Sequence, residues 1–103
     1  MRYETTPQWD RDWKSLEAEY KRQFRAVLPD FDAACDAYAA AEGSYTWPKG
    51  LRVSPMKSAR GVWEMTWHFT SPDGRATLEW VTDKEGLKLR WRRIGDHSIY
   101  TTP

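Results

Sequence analysis

Hydrophobic residues in the first third of the chain recur at helical spacing. Thr6 and Pro7 are a typical N-cap and first helical position. They are preceded by residues around Tyr3 to Thr5 that favour a short strand. Beyond them a stripe with steps of three or four residues indicates an amphipathic helix, at Trp9, Trp13, Leu16, Tyr20, Phe24 and Val27. The pattern predicts a helix from Pro7 to about Leu28.

A second helix is predicted after Pro29. Proline interrupts the helical pattern and Asp30 offers a new N-cap. One face of the following segment is apolar, and Gly43 is a typical C-terminal stop; that face carries Phe31, Ala34, Cys35 and Tyr38. The two helices are therefore expected to form a hairpin. Residues 44–50, "SYTWPKG", have the composition of a loop.

Farther along, the hydrophobic period changes from helical to alternating. Residues 62–69, "VWEMTWHF", direct Trp63, Met65, Trp67 and Phe69 to one side and Glu64, Thr66 and His68 to the other. "SPDG", residues 71–74, is typical of a hairpin turn, and "TDKEG", residues 82–86, indicates a second turn. Two more strands follow, with Ala76, Leu78, Trp80, Leu87, Leu89 and Trp91 inward and Arg75, Thr77, Glu79, Lys88, Arg90 and Arg92 outward.

These elements predict an α+β fold in a single domain, residues 1–103. The helical hairpin packs on one face of an antiparallel sheet of three strands, which the N-terminal strand extends to four. The opposite face carries the outward residues and is mixed but net basic. Any chemistry is expected on that opposite face.

Composition and charge narrow the class of protein. Seven tryptophans favour a compact fold over a disordered chain. The absence of a long apolar run and of a signal-like N-terminus predicts a cytoplasmic protein without a membrane partner. Cys35 is the only cysteine, so an internal disulfide and a cysteine-built metal site are excluded, and no cofactor or metal is predicted. Its apolar context predicts a small core residue.

The charge is distributed unevenly. Residues 1–48 hold 6 Lys and Arg against 9 Asp and Glu, whereas residues 49–103 hold 10 against 6. A basic second half permits a surface that binds a polyanion, although such surfaces also occur on proteins that bind no nucleic acid.

Three segments, in order after a strand and a helical hairpin, resemble motifs of the RelE/ParE superfamily of bacterial toxins. They read "SPMKSARGVWEMTW", "DGRATLEWV" and "RRIGDHSIY", and the likeness covers most of the chain. The resemblance implies the toxin of a type II toxin-antitoxin system, with a cognate antitoxin as partner. In the ribonuclease branch of the family it further implies a metal-independent endoribonuclease that cleaves mRNA on the ribosome, by attack of a ribose 2′-hydroxyl on the adjacent phosphate.

The resemblance also implies roles for individual residues. Arg75 would stabilise charge on the phosphate, His97 would act as general acid or base, and Tyr100 would stack on a base or assist proton transfer. Glu64 is a further candidate for the base or for an orienting group. RNA-binding residues are expected in the loop before the second strand of the meander and on the outward face of the last strand: Lys57, Arg60, Lys88, Arg90 and Arg92.

Two other functions stay open. A ParE-like inhibitor of DNA gyrase would use the same fold without cleaving RNA, and the retained Arg75 and His97 favour cleavage over that reading. A non-catalytic interaction module is favoured by the near-neutral net charge of +1. The arginines of the last strand also have a purely structural reading, since charged residues protect an edge strand from aggregation.

Overall fold

A computed structural model describes residues 1–41, 44–67 and 74–103, apart from the side chain of His97. The elements are, in chain order, β1 (Arg2–Thr5), α1 (Pro7–Ser15), α2 (Ala18–Ala40), β2 (Val53–Pro55), β3 (Trp63–Trp67), β4 (Gly74–Asp83) and β5 (Gly86–Gly95). Two short 3-10 helices cover Lys49–Leu51 and His97–Thr101. Within the described ranges, no helix is long and apolar enough to span a membrane. The predicted SPDG turn, Gly43, His68 and Phe69 lie partly or wholly outside these ranges.

The first helix begins at Pro7 as predicted, but it ends near Ser15 instead of Leu28, and the second begins at Ala18 instead of after Pro29. Thr6 is the N-cap of α1, because its hydroxyl accepts a hydrogen bond from the Trp9 amide at 3.1 Å. The helix ends at Ser15, and Leu16 adopts an extended conformation. Pro29 lies inside α2, so the predicted break at Pro29 is wrong.

Burial explains why α2 continues through the proline. A proline inside a helix removes one backbone hydrogen bond and costs about 3 kcal/mol. Phe24 and Phe31 stand on either side of Pro29 and are both buried. Their packing keeps both halves of α2 on the same core and offsets the local cost, which the sequence pattern alone does not show.

All five strands form one sheet in the order β1-β5-β4-β3-β2. β1 pairs in parallel with β5, whereas the other neighbours are antiparallel. The predicted α+β class is confirmed, but the sheet is mixed and has five strands. The additional strand is β2, whose three residues are too few to show an alternating pattern in the sequence.

The helices and one face of the sheet enclose an aromatic core. The Trp91 ring lies 5.0 Å from Trp9, 5.3 Å from Phe24 and 5.2 Å from Phe31, measured between centroids. Cys35 is buried, as predicted. Most residues predicted to face inward are also buried, namely Met65, Trp67, Ala76, Leu78, Leu89 and Trp91. Three others are only half-buried: Trp63, Trp80 and Leu87.

The opposite face of the sheet is less open than predicted. Thr66 and Thr77 were expected to face solvent, yet their exposed fractions are 3% and 0%. Residues 96–103, here called the C-terminal segment, fold back towards this face, and the Thr77 hydroxyl lies 3.4 Å from the main-chain oxygen of Pro103. The alternation places both threonines correctly on this face, but it gives no sign that another part of the chain covers them.

Candidate active site

Arg75 stands at the start of β4, directly opposite Thr66 of β3. Its guanidinium donates a hydrogen bond to the Thr66 hydroxyl. The preceding Gly74 lies against the buried indole of Trp67, where an added Cβ would be only 2.0 Å from ring atoms. A glycine is therefore required where the β4 backbone lies against this ring, immediately before Arg75.

The C-terminal segment brings Tyr100 to Arg75. Asp96 caps the 3-10 helix, with its carboxylate accepting from the Ser98 amide at 2.8 Å. Ile99 is buried against Gly95, where an added Cβ would lie 2.9 Å from the isoleucine methyl group. These contacts orient the helix so that the Arg75 Cζ lies 5.9 Å from the centroid of the Tyr100 ring. The arrangement is a cation-π contact.

The surroundings of Tyr100 raise the pKa of its phenol above the ordinary value. Burial raises the pKa of Tyr100, and the negative charge of Glu64 raises it further. The charge of Arg75 and hydrogen bonds with Thr66 and Arg75 act in the opposite direction without cancelling the rise in pKa. Tyr100 is thus a neutral hydrogen-bond donor at neutral pH.

Three of the four predicted catalytic residues therefore occupy one site. Glu64 lies on β3, half-buried, and is close enough for its charge to act on Tyr100. Thr66 also belongs to this site, although the sequence offered no reason to select it. Its role depends on the register that pairs it with Arg75, and only the assembled sheet reveals that register. His97 begins the 3-10 helix, but its side chain lies outside the described part of the chain.

The cations of β5 form a ladder of ion pairs across the sheet. Lys88 Nζ lies 2.8 Å from Glu4, while Arg90 and Arg92 contact the two carboxylate oxygens of Glu79 at 2.6 and 2.8 Å. Burial alone would raise the pKa of Glu79, but hydrogen bonds from the two arginines lower it overall. An RNA phosphate that binds these three cations has to compete with carboxylates already in place.

Lys57 and Arg60 have different surroundings. Both are exposed in the connection between β2 and β3. The Met56 amide donates to the Val62 carbonyl at 2.8 Å, which closes this connection into a compact loop. Among the residues that the structure describes, no carboxylate forms an ion pair with either cation. Of the predicted RNA-binding residues, these two are the ones whose charge is not already compensated by described neighbours.

The described residues include no group of three or more His, Cys, Asp or Glu that could hold a metal ion. Comparison of the chain with protein families, with curated proteins and with solved structures finds no match.

Proposed function

We propose that the protein is a RelE-like endoribonuclease, the toxin of a type II toxin-antitoxin system, which cleaves mRNA on the ribosome and is held inactive by a cognate antitoxin. The observation that carries the proposal is the convergence of Glu64, Arg75 and Tyr100 on one patch of the sheet. The three residues lie in three separate motifs of the resemblance, and the fold brings them together. The order of the elements, one strand, two helices and then a meander, also agrees with the resemblance.

The proposed chemistry requires charge stabilisation at a phosphate. When a ribose 2′-oxygen attacks the neighbouring phosphorus, negative charge builds up on the non-bridging oxygens. Arg75 supplies a fixed positive charge and several N–H donors for these oxygens. The hydrogen bond to Thr66 restrains the guanidinium before the substrate arrives. This pre-organisation favours the transition state over the ground state.

Two proton transfers complete the proposed reaction. The bond from the 2′-oxygen to phosphorus forms while the bond to the 5′-oxygen breaks, which leaves a 2′,3′-cyclic phosphate and a 5′-hydroxyl. Glu64 accepts the proton of the 2′-hydroxyl, and His97 gives a proton to the departing 5′-oxygen. Tyr100, whose ring lies against Arg75, stacks on a base or assists proton transfer, as the resemblance implies. The assignment of His97 rests on the sequence resemblance alone.

The test compares Arg75→Ala with the wild type on translating ribosomes, with cleavage followed by primer extension and the new ends identified by mass spectrometry. Loss of one such charge stabiliser should slow cleavage by about 10²- to 10³-fold. Arg22→Ala is the matched control, because Arg22 is an exposed helix residue paired with Glu19. Cleavage that is absent in the wild type, or equal in wild type and Arg75→Ala, contradicts the proposal.

A second candidate is ParE-like inhibition of DNA gyrase. The observation that favours it is the ladder on β5, where Glu4 and Glu79 compensate cations that an RNA-binding surface would present to phosphates. A supercoiling assay with purified gyrase separates the two functions. Inhibition by the wild type and equally by Arg75→Ala, with mRNA intact, supports this second function. A protein inactive in both assays would fit a non-catalytic interaction module.

A further inference from the structure

Two consecutive arginines at the end of β5 both reach the C-terminal segment. In a regular strand Arg92 and Arg93 would point to opposite faces. The register shifts here, since Leu78 pairs with Trp91 whereas Thr77 pairs with Arg93, so that Arg92 is an extra residue. This irregularity is a β-bulge, which re-aims side chains locally. Both arginines are thereby available to the chain that follows Tyr100.

Arg93 connects three parts of the fold. Its Nε and Nη2 donate to the two carboxylate oxygens of Asp12, on α1, at 2.7 and 3.1 Å. Its Nη1 donates to the main-chain oxygen of Thr102 at 3.0 Å and to the Thr102 hydroxyl at 2.9 Å. The exposed fractions of the Arg93 and Asp12 side chains are only 17% and 12%. Such a partly buried, bidentate pair is geometrically well defined.

Asp12 in turn is fixed from a second side. Its Oδ2 also accepts a hydrogen bond from the Ile94 amide at 3.1 Å. The carboxylate therefore binds both the side chain of Arg93 and the main chain of the next residue. As a result α1, the end of β5 and Thr102 are held in one arrangement.

Arg92 makes a second contact with the C-terminal segment. Its Nε donates to the main-chain oxygen of Pro103 at 3.0 Å, while its Nη1 is engaged with Glu79. Tyr100 thus lies between two attachments of the C-terminal segment. The attachment before Tyr100 in the chain consists of the Asp96 cap and the buried Ile99. The attachment after Tyr100 is the contact of Arg93 with Thr102.

We infer that Arg93, together with Asp12, is a positioning residue that holds the Tyr100 side chain against Arg75. Arg93 acts through the backbone at Thr102 and does not itself need to touch the substrate. The catalytic consequence of this contact rests on the proposed function, whereas the placement of Tyr100 does not. A small displacement of a catalytic group lowers the rate of the chemical step more than it lowers substrate binding.

The first experiment measures the placement of Tyr100 without any activity assay. Protein labelled with ¹³Cζ-tyrosine is titrated with base, and the Tyr100 resonance is assigned from Tyr100→Phe. Because burial raises the pKa of Tyr100, its release in Arg93→Gln should move the resonance and lower the pKa towards the ordinary value of about 10. Asp12→Asn should act in the same direction, and the double variant should add little because both changes break one contact. Arg22→Gln, which breaks the exposed pair with Glu19, is the control and should change neither property.

The second experiment measures RNA cleavage in single-turnover reactions. For Arg93→Gln we expect the maximal cleavage rate to fall by about 10- to 100-fold, with RNA affinity within about twofold of the wild type. Arg93→Lys retains the charge but not the bidentate geometry, so its resonance and its rate should lie between those of the wild type and of Arg93→Gln. It also serves as the test variant if Arg93→Gln does not fold.

The outcomes separate this inference from the proposed function. A Tyr100 resonance and pKa unchanged in Arg93→Gln, or in Arg93→Lys if that variant replaces it, overturn the inference. So does a variant that displaces Tyr100 but cleaves RNA as fast as an active wild type. If Tyr100 is displaced in a protein whose wild type cleaves no RNA, the contact that places Tyr100 is supported and the proposed ribonuclease function fails.

Discussion

Replacement of Gly74 by alanine should destabilise the protein strongly. An added Cβ would lie 2.0 Å from Cε2 and Cζ2 of the Trp67 indole and 2.5 Å from its Nε1. Trp67 is fully buried and its ring packs on Phe24 at 5.3 Å, so it has no open space into which to move. Overpacking a core costs about 1 to 3 kcal/mol, and a contact this short should reach the top of that range.

Thermal and urea unfolding measure the effect. For a domain of this size, a loss of about 3 kcal/mol corresponds to a fall in melting temperature of about 12 to 24 °C. Gly50→Ala is the control, since an added Cβ at Gly50 meets no atom within 4 Å, and it should change the free energy of unfolding by less than about 0.5 kcal/mol.

A double-mutant cycle tests the stated cause. Trp67→Phe removes the part of the indole that the alanine methyl would strike, so Gly74→Ala should cost at least about 1 kcal/mol less in that background. If Gly74→Ala costs under about 1 kcal/mol in the wild type, or costs the same in both backgrounds, the contact between Gly74 and the indole does not limit this position.

Two further predictions concern Arg52 and Glu79. Arg52 has a φ of 41° in the left-handed region, so Arg52→Gly should raise the free energy of unfolding, measured with urea, by up to about 1 kcal/mol. A lower free energy of unfolding in this variant would show that the Arg52 side chain itself stabilises the fold. The folded-state pKa of Glu79 is lowered despite burial, so its stabilising contribution is present above its unfolded pKa, near 4.3, and is lost as pH falls through the lower folded pKa. Urea unfolding from pH 6 to pH 3 should therefore show a smaller loss of stability in Glu79→Gln than in the wild type, and equal pH dependence would contradict the role assigned to the pairs with Arg90 and Arg92.

The period of the hydrophobic pattern predicted the type of most elements. Helical spacing and alternation each report which side of a local element is buried, and this is a property of neighbouring residues. The inward-facing residues Met65, Leu78 and Trp91 are buried as the alternation predicted. The N-cap at Thr6, another local signal, is also confirmed. The prediction that the helix breaks at Pro29 is wrong. The burial of Phe24 and Phe31 outweighs the local cost of the proline, and this burial depends on the rest of the fold.

The composition of the candidate site was determined in part by the sequence, but its assembly was decided by the tertiary structure. Motifs identified Glu64, Arg75 and Tyr100 separately, whereas strand register and the return of the C-terminal segment bring them together. The same long-range pairing buries Thr66 and matches the cations of β5 with carboxylates from other strands. Alternation along one strand gives the side on which a residue lies. It does not give the partner that the residue meets there, because that partner comes from a distant part of the chain.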